Sequence, residues 1–312
     1  MANFDVVVVG SCMIDLTCYA PRLPKSGETL CGSNFTIGFG GKGCNQCVAA
    51  SKLGAKSVLV ARIGNDSFGN NYSKKLREYG IGTKYVQVTE GVATGMAQIT
   101  VADTGENHIV IVLGANEKLT ESDVKNVADL IQNSFVLVCQ MEIPEMSTVA
   151  ALQIKATSGK GKSILNAAPA TRDMNPLLFA LPDIFCVNES EAEIITGMKI
   201  TDPSSSEKVI QDLIKRGCKE VIITLGEMGA VYGRQGTNKC VYVPTQQVTA
   251  VDTTGAGDAF LGALAFYLSS KPDMEMEEMI KRAHRVASLS VQKLGTQESF
   301  PSKAEVASGF EN

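Results

Sequence analysis

The stretch AVDTTGAGDAFLGALAFYL, residues 250–268, sets a glycine-rich turn and an aspartate against the start of an apolar helix. Gly255, Ala256 and Gly257 carry little or no side chain, so their backbone N–H groups can approach a ligand closely. The free N–H groups of the helix start add to a site for negative charge. Asp258 is itself an anion. In the positive field of a helix N-terminus it stays ionised at neutral pH and can accept a proton from a substrate hydroxyl. An anion hole beside a base suits transfer of a charged group onto an alcohol.

A second glycine turn, IGFGGKGCNQ, places Gly38, Gly40 and Gly43 in G-x-G-x-x-G spacing. A dinucleotide fingerprint would follow the first buried strand and lead to an acid ending the next one. Here the preceding SNFTI is half polar, the buried strand has already passed at 5–10, and Asp66 lies beyond Gly64 in a loop. A Walker loop fails too, because Thr36 stands five before Gly41 and Gly43 follows Lys42. What remains is a turn at a helix start that carries Gly41, Lys42, Gly43 and Asn45. Asn45 offers donors and acceptors together, as recognition of a polyol demands.

Polar residues also end the apolar runs. Asp15 in GSCMID, Glu142 in VCQMEIP, and Asn188 with Glu191 in VNESEAE all fall at expected carboxyl edges, where open α/β sheets bind ligands. Glu189 and Glu193 read as helix-start acids. TLGEMGAV brings Thr224, Gly226 and Gly229 to such an edge and reads equally as a hairpin turn. His284 sits near the expected start of a helix that stops at Gly295, and by itself it reads as a surface histidine.

These residues need a frame. Near-continuous apolar runs at 5–10, 57–64, 135–140, 163–166, 184–188 and 220–226 predict buried strands. Between them KGCNQCVAASKLG, SFGNNYSKKLREYG, TESDVKNVADLIQN, PEMSTVAALQIKATSG and SSEKVIQDLIKRG predict helices, four ending on glycine. TESD is a variant of the capping box. The alternation predicts an α/β fold, a Rossmann-like three-layer sandwich with a mostly parallel central sheet. Residues 15–40 and 93–113 instead alternate polar and apolar, with ADTGEN as a turn, and predict a small antiparallel β lid. Residues 1–312 read as one domain with that lid inserted in it.

Composition narrows the function. The 312 residues are 44% hydrophobic and 20% charged, the formal net charge is -4, and no basic run of five appears. Neither a nucleic-acid footprint nor a membrane patch is indicated, so the expected partners are small molecules. The start MANFDVVVVGSCMIDL lacks a basic leader, and its apolar run is too short for a membrane span. Nine cysteines without a secretion signal point to the cytoplasm, with the nucleus open. Cys44 and Cys47 form C-x-x-C without a second pair and read as packing residues. His108 and His284 are the only histidines, too few for a histidine-based metal site. An edge strand such as IVIV is liable to self-pair, so a homodimer through the lid is expected.

GGKGCNQ followed some two hundred residues later by DTTGAGD resembles the two signatures of the ribokinase family of carbohydrate kinases. The likeness runs essentially the whole chain, and RLPKSGETL, TGMAQITV, IVLGAN, NESEAE and GTQESFP are similar to its ribose-specific members. The resemblance implies ATP-dependent phosphorylation of D-ribose at O5 by direct in-line transfer. Asp258 would be the catalytic base, with Gly255, Ala256 and Gly257 as the anion hole. Asp15, Gly41, Asn45 and Glu142 would hold the sugar, with Met13, Lys42 and Gly43 lining the same loops. Asn188 and Glu191 would serve the ATP phosphates and Mg2+, Thr224, Gly226 and Gly229 would line the nucleotide, and His284 would lie against the adenine. The resemblance also implies K+ beside the anion hole, at Asp252, Thr254, Ser290, Lys293, Gly295 and Ser299. Met13 stands where bacterial relatives often carry asparagine, and Cys44 replaces a common alanine, which would expose the sugar site to thiol reagents. The rivals are a kinase of the same fold for another carbohydrate or nucleoside, a sugar-binding protein without chemistry, and a nicotinamide-dependent dehydrogenase.

Overall fold

Strand β1 (Val6–Val9) is four consecutive valines, all buried, whose side chains alternate between two hydrophobic cores. Val6 and Val8 pack with the helices Lys42–Lys52, Ala256–Ser270 and Met276–Ser290; Val7 and Val9 pack with Glu145–Thr157, Glu189–Thr196 and Ser206–Lys215. That two-sided burial is why the strands read as unbroken apolar runs. A computed structural model describes residues 4–237 and 239–308, so the first three residues of the expected leaderless start lie outside the described residues.

The strands that follow are β2 (Met13–Ala20), β3 (Asn34–Gly40), β4 (Ser57–Gly64), β5 (Val86–Thr89), β6 (Gly95–Ala102) and β7 (Asn107–Val112). After them come β8 (Val136–Cys139), β9 (Lys162–Asn166), β10 (Ile184–Asn188), β11 (Glu220–Thr224), β12 (Ala230–Arg234) and β13 (Val241–Val243). The main sheet runs β13-β12-β11-β10-β9-β8-β1-β4-β5, parallel from β11 to β5, with β12 and β13 added antiparallel. All six expected strands are present in this three-layer sandwich. Thr224 pairs with Ala230 across TLGEMGAV, so that segment is a hairpin as well as a carboxyl edge.

Two helices depart from the expected outline. TESDVKNVADLIQN divides into Glu121–Lys125 and Ala128–Gln132, because Val127 leaves helical dihedrals and turns its side chain into the core. The capping box at its start does form, between Thr120 and Asp123. The helix bearing His284 begins at Met276, so His284 lies in its interior and is buried, contrary to the surface position expected for it.

The lid is a separate four-stranded sheet ordered β3-β2-β6-β7. Its two flanking pairs are antiparallel as expected, and its central seam, β2 to β6, is parallel. The seam follows from the connections: β2 leaves the carboxyl end of β1, and β6 leaves a turn held against the carboxyl end of β4 by Thr94 Oγ1, which accepts from Gly64 N at 3.0 Å. Both strands therefore run outward from the same edge.

Candidate active site

The site begins where the lid joins the sheet. Asp15, beyond the carboxyl end of β1 and within the expected lid segment, lies on lid strand β2, opposite Gly38 of β3. Gly41 takes φ 88°, and a Cβ there would stand 2.8 Å from Met13 N, so the turn requires glycine. A Cβ on Gly43 would lie 2.7 Å from the Gly10 backbone, which lets the helix Lys42–Lys52 start directly on the end of β1. Met13 is buried in β2. Cys44 and Cys47 are both fully buried in the core, as the packing reading has it, and that burial removes the exposure to thiol reagents expected of Cys44.

Gly41 has no side chain to cap the helix it precedes. Glu142, just past β8, does so from outside: its Oε2 accepts from Lys42 N at 2.8 Å and from Ser11 Oγ at 2.6 Å. Burial raises the Glu142 acid, against the opposing pull of Lys42 and these two donors. Burial also lifts Asp15, to about 7, with the negative charges of Glu142 and Asp258 adding to the shift. Lys42 keeps its proton despite burial, because Asp258, Glu142 and Glu191 surround it with negative charge.

Asp258 lies in the first turn of the helix Ala256–Ser270 and is 7% exposed. Gly255 caps that helix at φ 79° in the left-handed region. Ala256, one of three expected donors, already gives its N–H to Thr253 O at 3.2 Å, so the first-turn N–H groups of Gly257 and Asp258 are the ones lacking an intrahelical acceptor. The two carboxylate oxygens of Asp258 are held separately, Oδ2 by Asn45 Nδ2 at 2.9 Å and Oδ1 by Gln46 Nε2 at 2.9 Å. Asn45, expected to meet the sugar, thus meets the base, while its Oδ1 accepts from Gln297 Nε2 at 2.9 Å.

A cleft of about 160 Å³ opens beside this group, lined by Lys42, Asn188, Glu191, Thr224 and the turn Gly255–Asp258. Asn188 and Glu191 bond each other in a reciprocal capping box, at 2.8 and 2.9 Å. Burial raises Glu191, partly offset by the Asn188 N–H and by Lys42. Three expected nucleotide residues do not line the cleft. Gly226 opens the turn after β11, Gly229 backs onto Val243 and Pro244, and His284 lies behind Phe260 with ring centroids 4.9 Å apart. Burial lowers His284 to about 4, so its imidazole is neutral, and its Nε2 has no partner among the described residues.

Asp252 ties two loops together, its Oδ1 accepting from Thr254 N at 2.9 Å and its Oδ2 from Gly295 N at 3.0 Å. Around it, Ser290 O accepts from Lys293 N at 3.2 Å, and Thr296 O accepts from Ser299 Oγ at 2.8 Å. The Lys293 ammonium pairs with Glu305 at 2.6 Å, so only the backbone of Lys293 can face a cation. One carboxylate with several carbonyls suits a hard, oxygen-binding cation. Among the described residues no group of three or more His, Cys, Asp or Glu clusters to hold a metal. Unanticipated from sequence are Ser11, Gln46, Gln140, Asn166 and Gln297, all buried; the quoted motifs contain Ser11, Gln46, Gln140 and Gln297, but none of these was given a role.

A carboxylate at a helix start, flanked by an ammonium and an open cleft at the carboxyl edge of a lidded α/β sheet, defines a group-transfer enzyme acting on an alcohol. The chain belongs to the pfkB family of carbohydrate kinases, whose family model matches residues 3–303. Among its relatives, the ribokinase of Mus musculus is 49% identical over 301 residues, covering 96% of this chain and 93% of the mouse protein. A deoxyribokinase of Salmonella typhi is 37% identical over 298 residues, covering 96% of each. Among solved structures, Arabidopsis thaliana ribokinase complexed with ribose and ATP superposes with TM-score 0.92 at 29% identity and full coverage of both chains. Thermotoga maritima ribokinase gives 0.88 at 32% identity, covering 99% of this chain and 100% of that one.

Proposed function

We propose that this protein transfers the γ-phosphoryl group of ATP to O5 of D-ribose, with Asp258 as the base. The observation that carries the proposal is the placing of Asp258: its carboxylate joins the sugar-loop helix through Asn45 and Gln46 and also borders the cleft. Ribose occupies the space between lid and sheet, its hydroxyls donating to Asp15 and meeting the turn Gly41–Asn45. Ionised Asp258 takes the O5 proton as the phosphoryl group arrives in line from the cleft. The Gly257 and Asp258 N–H groups, the helix dipole and Lys42 offset the charge gathering on the transferred group. Closure of the lid keeps water from competing with the sugar.

Glu191 and Asn188, half-buried polar groups lining the cleft, fit the surroundings of a hydrated Mg2+, which would supply charge neutralisation on the phosphates. The Asp252, Thr254, Ser290, Lys293, Gly295 and Ser299 loops fit K+, which would brace the anion turn. His284, Gly226 and Gly229 belong to the second layer behind the nucleotide. The exposed run Ile109, Val110, Ile111 and Val112 on edge strand β7 supports a homodimer through the lid. The free thiols, Cys18 and Cys31 among them exposed, support a cytoplasmic setting.

The test is ADP production with ATP, Mg2+ and each of ribose, 2-deoxyribose, fructose, adenosine and pseudouridine, in sodium or potassium salts. Turnover confined to ribose and raised by potassium is expected. Dominant turnover of 2-deoxyribose would move the assignment toward the deoxyribokinase relatives, and no turnover would leave a sugar-binding protein.

A further inference from the structure

Gln46 is 1% exposed and every polar atom of its side chain is committed. One Nε2 proton goes to Asp258 Oδ1 at 2.9 Å and the other to Asn166 Oδ1 at 3.1 Å, while Gln140 Nε2 donates to Gln46 Oε1 at 2.7 Å. These partners fix the orientation of the amide. Turned over, its oxygen would face two acceptors and its nitrogen would face a donor. The Asn45 bond differs. It goes to Asp258 Oδ2, the oxygen left to receive a substrate proton, and leaves the second lone pair of that oxygen for a sugar hydroxyl.

We infer that Gln46 is the positioning residue of the base: it keeps hold of Oδ1 throughout and thereby fixes the carboxylate plane with Oδ2 toward the acceptor hydroxyl. The inference rests on Asp258 being the base. An amide pinned on three sides within a buried helix loses no further freedom when the sugar binds, so the carboxylate is aligned before the reaction. The charges facing Asp258 are Lys42 on the same helix as Gln46, Asp15 on β2, Glu142 beyond β8 and Glu191 beyond β10. None of these forms a hydrogen bond to Oδ1, so loss of Gln46 has no built-in substitute among them.

The test is Gln46→Met, similar in length and without a donor, made alone and together with Asp258→Asn. Turnover is followed by ADP release and ribose affinity by calorimetry. The expected result is a fall in kcat of on the order of 10²-fold, the loss typical of a misplaced catalytic group. Ribose affinity should stay within about threefold of the parent, so that the loss falls on kcat and not on binding. On the Asp258→Asn background the same change should add less than about threefold, because the group it positions is gone. A shift in melting temperature alone, with kcat unmoved, would overturn the inference. So would an equal fall in kcat on both backgrounds. If Gln46→Met does not fold, Gln140→Leu frees the Gln46 amide to rotate, and an unmoved kcat there has the same negative meaning. Failure of the underlying assignment is a separate result, near-normal turnover by Asp258→Asn itself.

Discussion

Gly257→Val separates the chemistry of the anion turn from the stability of the fold. A Cβ built on Gly257 meets nothing within 4 Å, whereas one on neighbouring Gly255 would stand 2.5 Å from Thr296 Cγ2 on a backbone at φ 79°. Gly257 lines the cleft, so the valine methyls project into the space where phosphoryl transfer is placed and not into the core. In the first turn of a helix valine is slightly better than glycine, by about half a kcal/mol on propensity. The melting temperature should therefore stay within about 2 °C of the parent. Activity should not. Displacing the phosphoryl group from a first-turn N–H removes a donor of the kind worth roughly 10²- to 10³-fold, about 2.7 to 4 kcal/mol of barrier. The assay is ADP release at saturating ribose and ATP, alongside thermal unfolding. Turnover within about threefold of the parent, at unchanged stability, would refute the placing of the transferred group at this turn.

Asp258→Asn should keep the fold and lower kcat by at least roughly 10²-fold, the lower range for a positioned base, read in the same ADP assay. Asp15 makes a pH prediction: its folded pKa of about 7 lies above the ordinary carboxylate range, through burial first and then Glu142 and Asp258. The folded protein therefore holds a proton that the unfolded chain has lost, and between about pH 4 and 7 rising pH removes stability that Asp15→Asn should restore at pH 8, as read by denaturant unfolding. A sugar hydroxyl donating to the ionised form should release a proton on binding near pH 6.5, visible by calorimetry in buffers of different ionisation enthalpy and absent in Asp15→Asn. A bulky thiol reagent should label Cys18 and Cys31 quickly and leave buried Cys44 and turnover untouched. Val110→Asp, at a position 64% exposed on edge strand β7, should yield a monomer by light scattering if the lid is the dimer contact.

The main sheet was legible because its strands are covered on both faces, and two-sided burial writes itself as runs such as VVVV and EVIIT. Four helices stop where glycines were expected to stop them, and Gly54, Gly80, Gly159 and Gly217 all take positive φ. Short edge strands escaped notice. β5 is four half-exposed residues, and its place is set by pairing with β4, not by a pattern of its own. The glycine turn with Asp258 was equally legible, since only close backbone approach explains so small a run before a helix.

Other features were decided in three dimensions. Nothing local marks Gln140, Asn166 or Gln297 as neighbours of residues 45 and 46, because the hydrogen bonds that join them span 94, 120 and 252 positions. His284 looked like a surface residue because the 3.6-residue period fixes which side a helix shows, and only packing against Phe260 decides that this side is buried. Asp15 and Glu142 could be named from the ends of apolar runs, but their raised pKa values depend on burial and, for Asp15, on the charges of Glu142 and Asp258 brought near it. The sequence by itself determined which backbone and which chemical groups are available. Tertiary structure decided which of those groups share one desolvated space, where a carboxylate's partners set both its orientation and its charge.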